Sequence, residues 1–264
     1  MDGQASLGRG IATVGIALGL VAIWVDFGPA SFWSFDGSLA GLLLILGVLA
    51  LLALAGAFVT GDRDYDLAYG AIGGIGFGMY LFYPAVLAFD QWDQLDSGAW
   101  LGLCSALTFI GASIATWDSD QPAARRSAAG AVIAVIGLGL VVAGLFPTFI
   151  DGGGSYWNIS DNGHSFGILM LILVVLEVLA IAAAYSGSAG VDSAVLLGAI
   201  ILGAAITIPD QSAFGHFGEL GAGAWLMGIG GLLVGVGVLL MWFMSEDAAP
   251  EAAVRPPTTT TPTT

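Results

Sequence analysis

The stretch LAGLLLILGVLALLALAGAFV, residues 39–59, decides the fold class of this chain. Its 21 residues include no charged, amide or hydroxyl side chain. A helix rises 1.5 Å per residue, so about 20 such residues cross the hydrocarbon core of a bilayer. The stretch therefore predicts a transmembrane helix.

The composition of the whole chain points to the same class. Of its 264 residues, 57% are hydrophobic and 9% are charged, and the mean hydropathy is +0.92. A soluble domain carries roughly 25% charged residues. Seven further apolar runs predict an all-α, polytopic transmembrane helix bundle of about eight helices. The predicted spans are Gly10–Val25, Leu39–Val59, Leu67–Phe89, Ala99–Trp117, Ala128–Ile150, Phe166–Tyr185, Val191–Ile208 and Ala222–Met244.

The predicted helices fall into four hairpins. Each odd-numbered run ends at an aspartate, with spacings of 64, 61 and 59 residues, and an acid and a glycine precede each even-numbered run. We therefore predict a transmembrane domain over residues 1–244, built of four parallel hairpin repeats at about 9–61, 66–118, 126–186 and 191–244. A signal peptide is the alternative interpretation of the first run. The repeat argues against it, because that run carries the same terminal aspartate.

The arginines predict the orientation. All five basic residues are arginines, and they lie before the first run, between the second and third, between the fourth and fifth, and after the eighth. Because positive charge marks cytoplasmic loops, we predict a multi-pass protein of the cell membrane with both termini in the cytoplasm. Residues 245–264 are polar and rich in Pro and Thr, which predicts a disordered cytoplasmic tail.

The same composition argues against several function classes. Without lysine the chain cannot form a retinal or pyridoxal Schiff base or a Walker A loop. A single cysteine, Cys104, cannot form a disulfide or a cysteine-ligated metal site within one chain. Neither histidine lies in a predicted span, which disfavours an intramembrane serine protease and haem ligation. We therefore expect no enzymatic activity, no catalytic residue and no cofactor.

Five acidic residues form a candidate ion pathway. They are Asp26, Asp90, Asp151 and Asp210, which end the odd-numbered runs on the predicted outer side, and Glu177, which lies inside the sixth run. An outer face with acids and no arginine favours cations there and disfavours nucleic acid. In the alternative interpretation, aspartates mark the membrane boundary because they cannot enter it, and the acids before the even-numbered runs cap helices.

Glu177 is the one acidic or basic residue deep within a predicted span, LMLILVVLEVLAIAAA. Such a carboxyl group usually faces the bundle interior and is a functional hypothesis by default. No arginine lies at that depth, so we expect Glu177 to be protonated or hydrogen-bonded to a Ser, Thr or Tyr. The alternative is a neutral glutamate that pins one helix to another.

Two histidines and a glycosylation sequon lie in predicted outer loops. His164 and His216, with Asp161 and Glu219, have the chemistry to ligate a divalent metal. Polar loop residues are the interpretation we favour, so no metal site is predicted. Asn158 begins an N-x-S sequon, which agrees with an outer position and leaves its glycosylation open.

The function predicted from these features is that of a non-enzymatic integral membrane protein, a scaffold or a subunit of a membrane complex. Its partners would be the lipid bilayer and another membrane protein. The alternative is a cation or proton channel or transporter, with cations entering an outer acidic vestibule that leads to Glu177. A centre packed by glycine favours the first prediction, and a continuous polar cavity favours the second.

Overall fold

The structure is a computed structural model that describes residues 3–25, 37–87, 97–115, 127–148, 154–158, 165–186, 191–216 and 220–244. The named elements in these ranges are helical, and Thr148 and Ser155 form an isolated antiparallel β-bridge. They are α1 (Gly3–Ala22), α2 (Gly37–Thr60), α3 (Arg63–Leu87), α4 (Ser97–Ala115), α5 (Ala128–Gly144), the 3₁₀ helix η1 (Tyr156–Asn158), α6 (Ser165–Ser186), α7 (Asp192–His216) and α8 (Ala222–Phe243). The predicted tail, residues 245–264, lies outside the described residues.

Three helical segments are long and apolar enough to cross a membrane: Ala40–Thr60, Phe166–Tyr185 and Ala222–Phe243. These segments agree closely with three of the predicted spans. The helical fold class and the presence of membrane-spanning helices are therefore supported for the part of the chain that the structure describes. The total number of spans stays a prediction.

Three predicted helix ends differ from the structure by six residues or more. α1 begins at Gly3 instead of Gly10, and α7 continues through Pro209 to His216 instead of ending at Ile208. The errors at α1 and α7 have the same cause: polar residues end the apolar run, but the helix continues through them. α5 is shorter than predicted and ends at Gly144, two residues before Phe146 and Pro147 begin an irregular connection.

Helix packing follows the same order in both halves of the chain. In the first half, α1 packs on α4, α4 on α3, and α3 on α2. In the second half, α5 packs on α8, α8 on α7, and α7 on α6. We call α1–α4 the N-terminal unit and α5–α8 the C-terminal unit. Consecutive helices α1 and α2, or α5 and α6, touch much less, so the packing distinguishes two four-helix units more clearly than four equal hairpins.

The most extensive helix contact joins α5 and α8 through glycines spaced seven residues apart. These are Gly130, Gly137 and Gly144 in α5, and Gly223, Gly230 and Gly237 in α8. A Cβ atom on Gly137 would lie 2.6 Å from the carbonyl oxygen of Gly230. The two helices run antiparallel with their backbones in direct contact, which a side chain at these positions would prevent.

The two units meet where α3 packs on α7. A Cβ atom on Gly78 would collide with the carbonyl oxygen of Ile200, and one on Gly203 would collide with the carbonyl oxygen of Ile75. The contacts are reciprocal, and each glycine and isoleucine lies 125 residues from its counterpart. The α3–α7 interface therefore has a local two-fold relation between the units.

We expect the Gly137→Ala substitution to destabilise the protein by roughly 1–3 kcal/mol, because the added methyl group forces α5 away from α8. The midpoint of thermal unfolding in detergent, followed by circular dichroism, measures the effect. Gly139→Ala is the matched control, since a Cβ atom on Gly139 meets nothing within 4 Å. Its midpoint should stay unchanged or rise slightly, because alanine favours helix over glycine by about 1 kcal/mol. Equal midpoints for the two variants would contradict the backbone contact.

Candidate functional site

The structure describes the position of two of the five residues of the candidate ion pathway. Asp26, Asp90 and Asp151 lie outside the described residues. Asp210 lies within α7, so its predicted place beyond the end of a helix is wrong. Glu177 lies near the middle of α6. The acidic vestibule therefore stays a prediction, and the candidate site is described from Glu177.

Glu177 lies on the buried face of α6 and is 0% exposed. Its helical neighbours on that face, Leu173, Val174 and Ile181, belong to the main hydrophobic core. Neither carboxyl oxygen of Glu177 has a hydrogen-bond partner among the described residues. The interior position agrees with the sequence analysis. The expected Ser, Thr or Tyr partner is not found in the part of the chain that the structure describes.

A buried ion pair joins the ends of three helices. The Nε atom of Arg9 donates to Oδ1 of Asp66 at 3.1 Å, and its Nη2 atom donates to Oδ2 at 3.0 Å and to the carbonyl oxygen of Gly61 at 3.3 Å. Arg9 and Asp66 are each 2% exposed. Gly61 has a φ of 74°, a backbone conformation that glycine adopts without strain, and it forms the tight turn between α2 and α3. The pair therefore fixes α1 to this turn.

Arg9 is the arginine before the first run, and its position in the sequence predicted only the orientation, not its pairing with Asp66. The available signal was an arginine before the first run and an aspartate before the third. The sequence does not show that these two run starts meet. A second contact lies at the same end of the bundle, where Nε1 of Trp242 donates to Oδ1 of Asp64 at 3.3 Å. Together these contacts tie α1, α3 and α8 at the end predicted to face the cytoplasm.

At the opposite end lie the described parts of the connection between α5 and α6, residues 145–148 and 154–158. Tyr156 is 1% exposed, and its ring lies 5.9 Å from the ring of Phe166. Burial raises the pKa of Tyr156, so its hydroxyl group stays neutral at physiological pH. The amide of Gly223 donates to the carbonyl oxygen of Thr148 at 2.8 Å, which attaches this connection to the start of α8. Asn158 of the sequon is exposed.

The histidines predicted in outer loops are only partly described. His164, Asp161 and Glu219 lie outside the described residues, and His216 is the last residue of α7, not a loop residue. Among the residues that the structure describes, no three His, Cys, Asp or Glu side chains are close enough to hold a metal ion.

A cavity of about 50 Å³ lies in the N-terminal unit and is lined by all four of its helices. Ser105 of α4 is the polar side chain of its wall, and the other described wall residues are Gly, Ala, Leu and Ile. The hydroxyl group of Ser105 donates to the carbonyl oxygen of Gly15 at 2.6 Å. The sequence analysis did not anticipate this cavity.

We expect Arg9→Ala to destabilise the protein by about 3–5 kcal/mol, because it leaves Asp66 buried without its cation. Leu7→Ala is the control in the same helix, since Leu7 is 62% exposed and a surface substitution changes stability by about 0.5 kcal/mol. Combining Arg9→Met with Asp66→Leu removes both charges, so this double variant should be more stable than Arg9→Ala. Thermal unfolding in detergent measures all three. An Arg9→Ala protein as stable as the Leu7→Ala protein would show that the pair contributes nothing.

Comparisons with known proteins assign no activity to these features. The chain matches no protein-family model, no curated protein and no solved structure. Its function has to be inferred from its own residues.

Proposed function

We propose that this protein is a multi-pass integral membrane protein that acts, without enzymatic activity, as a scaffold or subunit of a membrane complex. The observation that carries the proposal is the backbone contact between α5 and α8. Helices in contact through glycine leave no space for a solute between them. Helices fixed in this way hold their outer faces in a constant arrangement.

Those outer faces are suited to lipid and to other membrane helices. Leu52 and Val59 of α2 are 63% and 85% exposed, and Val132 and Ile136 of α5 are 58% and 53% exposed. Exposed side chains of this kind are unfavourable in water and favourable in hydrocarbon. They support a location in the bilayer and offer apolar helix faces to a second membrane protein.

We further propose that all eight helices span the cell membrane and that both termini are cytoplasmic. Arg9, the Gly61 turn and Trp242 meet at one end of the bundle, which agrees with the side that the arginines predict. Asn158 and the β-bridge of Thr148 lie at the other end, on the side assigned to the exterior.

Single cysteines test this orientation in a Cys104→Ala background, in which the exposed native thiol is removed. Gly154 and Met244 are both exposed and lie at opposite ends. In intact cells, an impermeant maleimide should label the Gly154→Cys variant, and it should label the Met244→Cys variant only after lysis. The Cys104→Ala protein itself controls for background labelling. The reverse pattern would show that the orientation is wrong.

A cation or proton pathway is the second candidate function, and Glu177 is the observation that favours it. An intramembrane carboxyl group without a partner is costly, and in transporters such a group often receives the transported proton or cation. Asp26, Asp90, Asp151 and Asp210 would form the outer mouth. Asp26 and Asp151 lie 125 residues apart, the interval that relates the two units, whereas 120 residues separate Asp90 from Asp210. The 125-residue interval therefore supports equivalent positions for Asp26 and Asp151 but not for Asp90 and Asp210.

Ion flux in reconstituted vesicles distinguishes the two functions. We expect vesicles that contain the full-length protein to hold imposed proton, sodium and potassium gradients as well as empty vesicles do. The Glu177→Gln variant, which keeps the size and polarity of the side chain, should behave in the same way. Flux through the wild-type protein that this variant abolishes, with its unfolding midpoint retained, would overturn the scaffold function and establish the pathway.

The scaffold function also predicts the size of the protein in its own membrane. Extracted in mild detergent from native membranes, it should migrate on a native gel as a complex larger than the purified 26.8 kDa chain in the same detergent. Equal migration of the two samples would contradict a scaffold or subunit role.

A further inference from the structure

The two units correspond residue by residue as well as helix by helix. Residues 98–101 and 223–226 both carry the sequence GAWL, 125 residues apart, at the start of α4 and α8. In α2 and α6 the interval is 127, and it aligns LLLILGVL at residues 42–49 with LMLILVVL at residues 169–176. With the shared packing order, these intervals identify the equivalent positions of the two units.

The cavity of the N-terminal unit is bounded by small residues at its centre. They are Gly47 and Ala50 of α2, Gly76 of α3 and Gly102 of α4. A Cβ atom built on Gly76 would meet nothing within 4 Å, so this position has room for a side chain. Leu20, Leu46 and Gly47 of the wall are only partly buried.

Larger side chains occupy the equivalent positions in the C-terminal unit. The counterparts of Gly47, Ala50, Gly76 and Gly102 are, in this order, Val174, Glu177, Ile201 and Met227. All four are buried, and three of them are 0% exposed. At these four positions the N-terminal unit lacks side chains that the C-terminal unit buries, whereas Ser105 and Ala106 of the wall correspond to Gly230 and Gly231. Glu177 corresponds to Ala50, so only the C-terminal unit has a carboxyl group at this position.

We propose that this cavity is a ligand site and that it holds the hydrocarbon chain of a membrane lipid. The filled unit indicates the kind of occupant, because mostly aliphatic side chains take this space there. A chain of methylene groups restores the dispersion contacts that an empty void loses. The site is independent of the scaffold function and rests only on the position of the protein in a bilayer.

The chemistry of the wall excludes other classes of ligand. The described wall residues include no charged side chain, so a phosphate, a carboxylate or a cation would be buried without a counter-charge. Water needs two to four polar partners, and the Ser105 hydroxyl already donates its proton to Gly15. An acyl chain needs neither charge nor hydrogen bonds and is the main component of the surrounding medium.

Photolabelling with a lipid tests the site. The full-length protein is reconstituted in phosphatidylcholine vesicles that contain a small fraction of phosphatidylcholine with a diazirine in the middle of one acyl chain. After irradiation, mass spectrometry maps the adducts. We expect adducts at the wall residues Leu20 and Leu46, in addition to those at Leu52 and Val59, which face outward and contact bulk lipid.

The Gly76→Ile variant should empty the site, because it places in the cavity the side chain that Ile201 provides in the other unit. The isoleucine side chain takes the space and the dispersion contacts that the acyl chain would use, so adducts at Leu20 and Leu46 should fall. Adducts at Leu52 and Val59 should not change. Gly111→Ile is the matched control, since Gly111 of α4 is exposed and a Cβ atom there also meets nothing within 4 Å. It should leave all four positions labelled as in the wild type.

Two results would overturn the proposal. The first is equal labelling of Leu20 and Leu46 in the wild type and in the Gly76→Ile variant, with labelling of Leu52 and Val59 unchanged. If the Gly76→Ile variant does not fold, the Gly76→Ala variant provides the same comparison with a smaller expected loss of labelling. The other concerns the source of the chain. Adducts at the wall from a free diazirine-bearing alkane, with none from the labelled phosphatidylcholine, would show a site for a free apolar molecule instead of a lipid.

Discussion

The direct contact of helix backbones through glycine is the constraint on which this bundle depends. Lipid chains are as apolar as leucine, so the hydrophobic effect that drives association in water does not hold helices together within a bilayer. Close packing must replace it. Between α5 and α8 this packing uses three glycines on each helix, and between α3 and α7 it uses Gly78 and Gly203 in reciprocal contact. Both interfaces lose their geometry when a side chain is added.

The same architecture serves two units with different interiors. In the C-terminal unit, Ile201, Met227 and Glu177 are fully buried. In the N-terminal unit, Gly76, Gly102 and Ala50 occupy the equivalent positions and border a cavity. A carboxyl group without a partner among the described residues reduces the stability of the filled unit, and a void reduces the stability of the open one. These two features are the places at which the structure departs from the most stable packing, and departures of this kind concentrate at functional sites.

The two ends of the bundle are held by different interactions. At one end, the Arg9–Asp66 ion pair and the Trp242–Asp64 hydrogen bond connect helices that are distant in sequence. At the other end, buried Tyr156 and the backbone bond from Gly223 to Thr148 close the C-terminal unit. Charged and polar side-chain contacts therefore hold the first end, and aromatic packing and a backbone hydrogen bond hold the second.

The sequence alone determined the helical class, the approximate limits of three helices that are apolar enough to span a membrane, and the interior position of Glu177. Apolar length sets the first two, and the cost of a carboxyl group facing lipid sets the third. Tertiary structure decided which helices meet. Almost every side chain in the spanning helices is apolar, because both lipid and the protein interior favour apolar groups. Hydropathy therefore does not distinguish the inward face of such a helix from its outward face. The pairing of Arg9 with Asp66, the contact of the α5 glycines with the α8 glycines, and the cavity beside Gly76 all follow from that choice of partners.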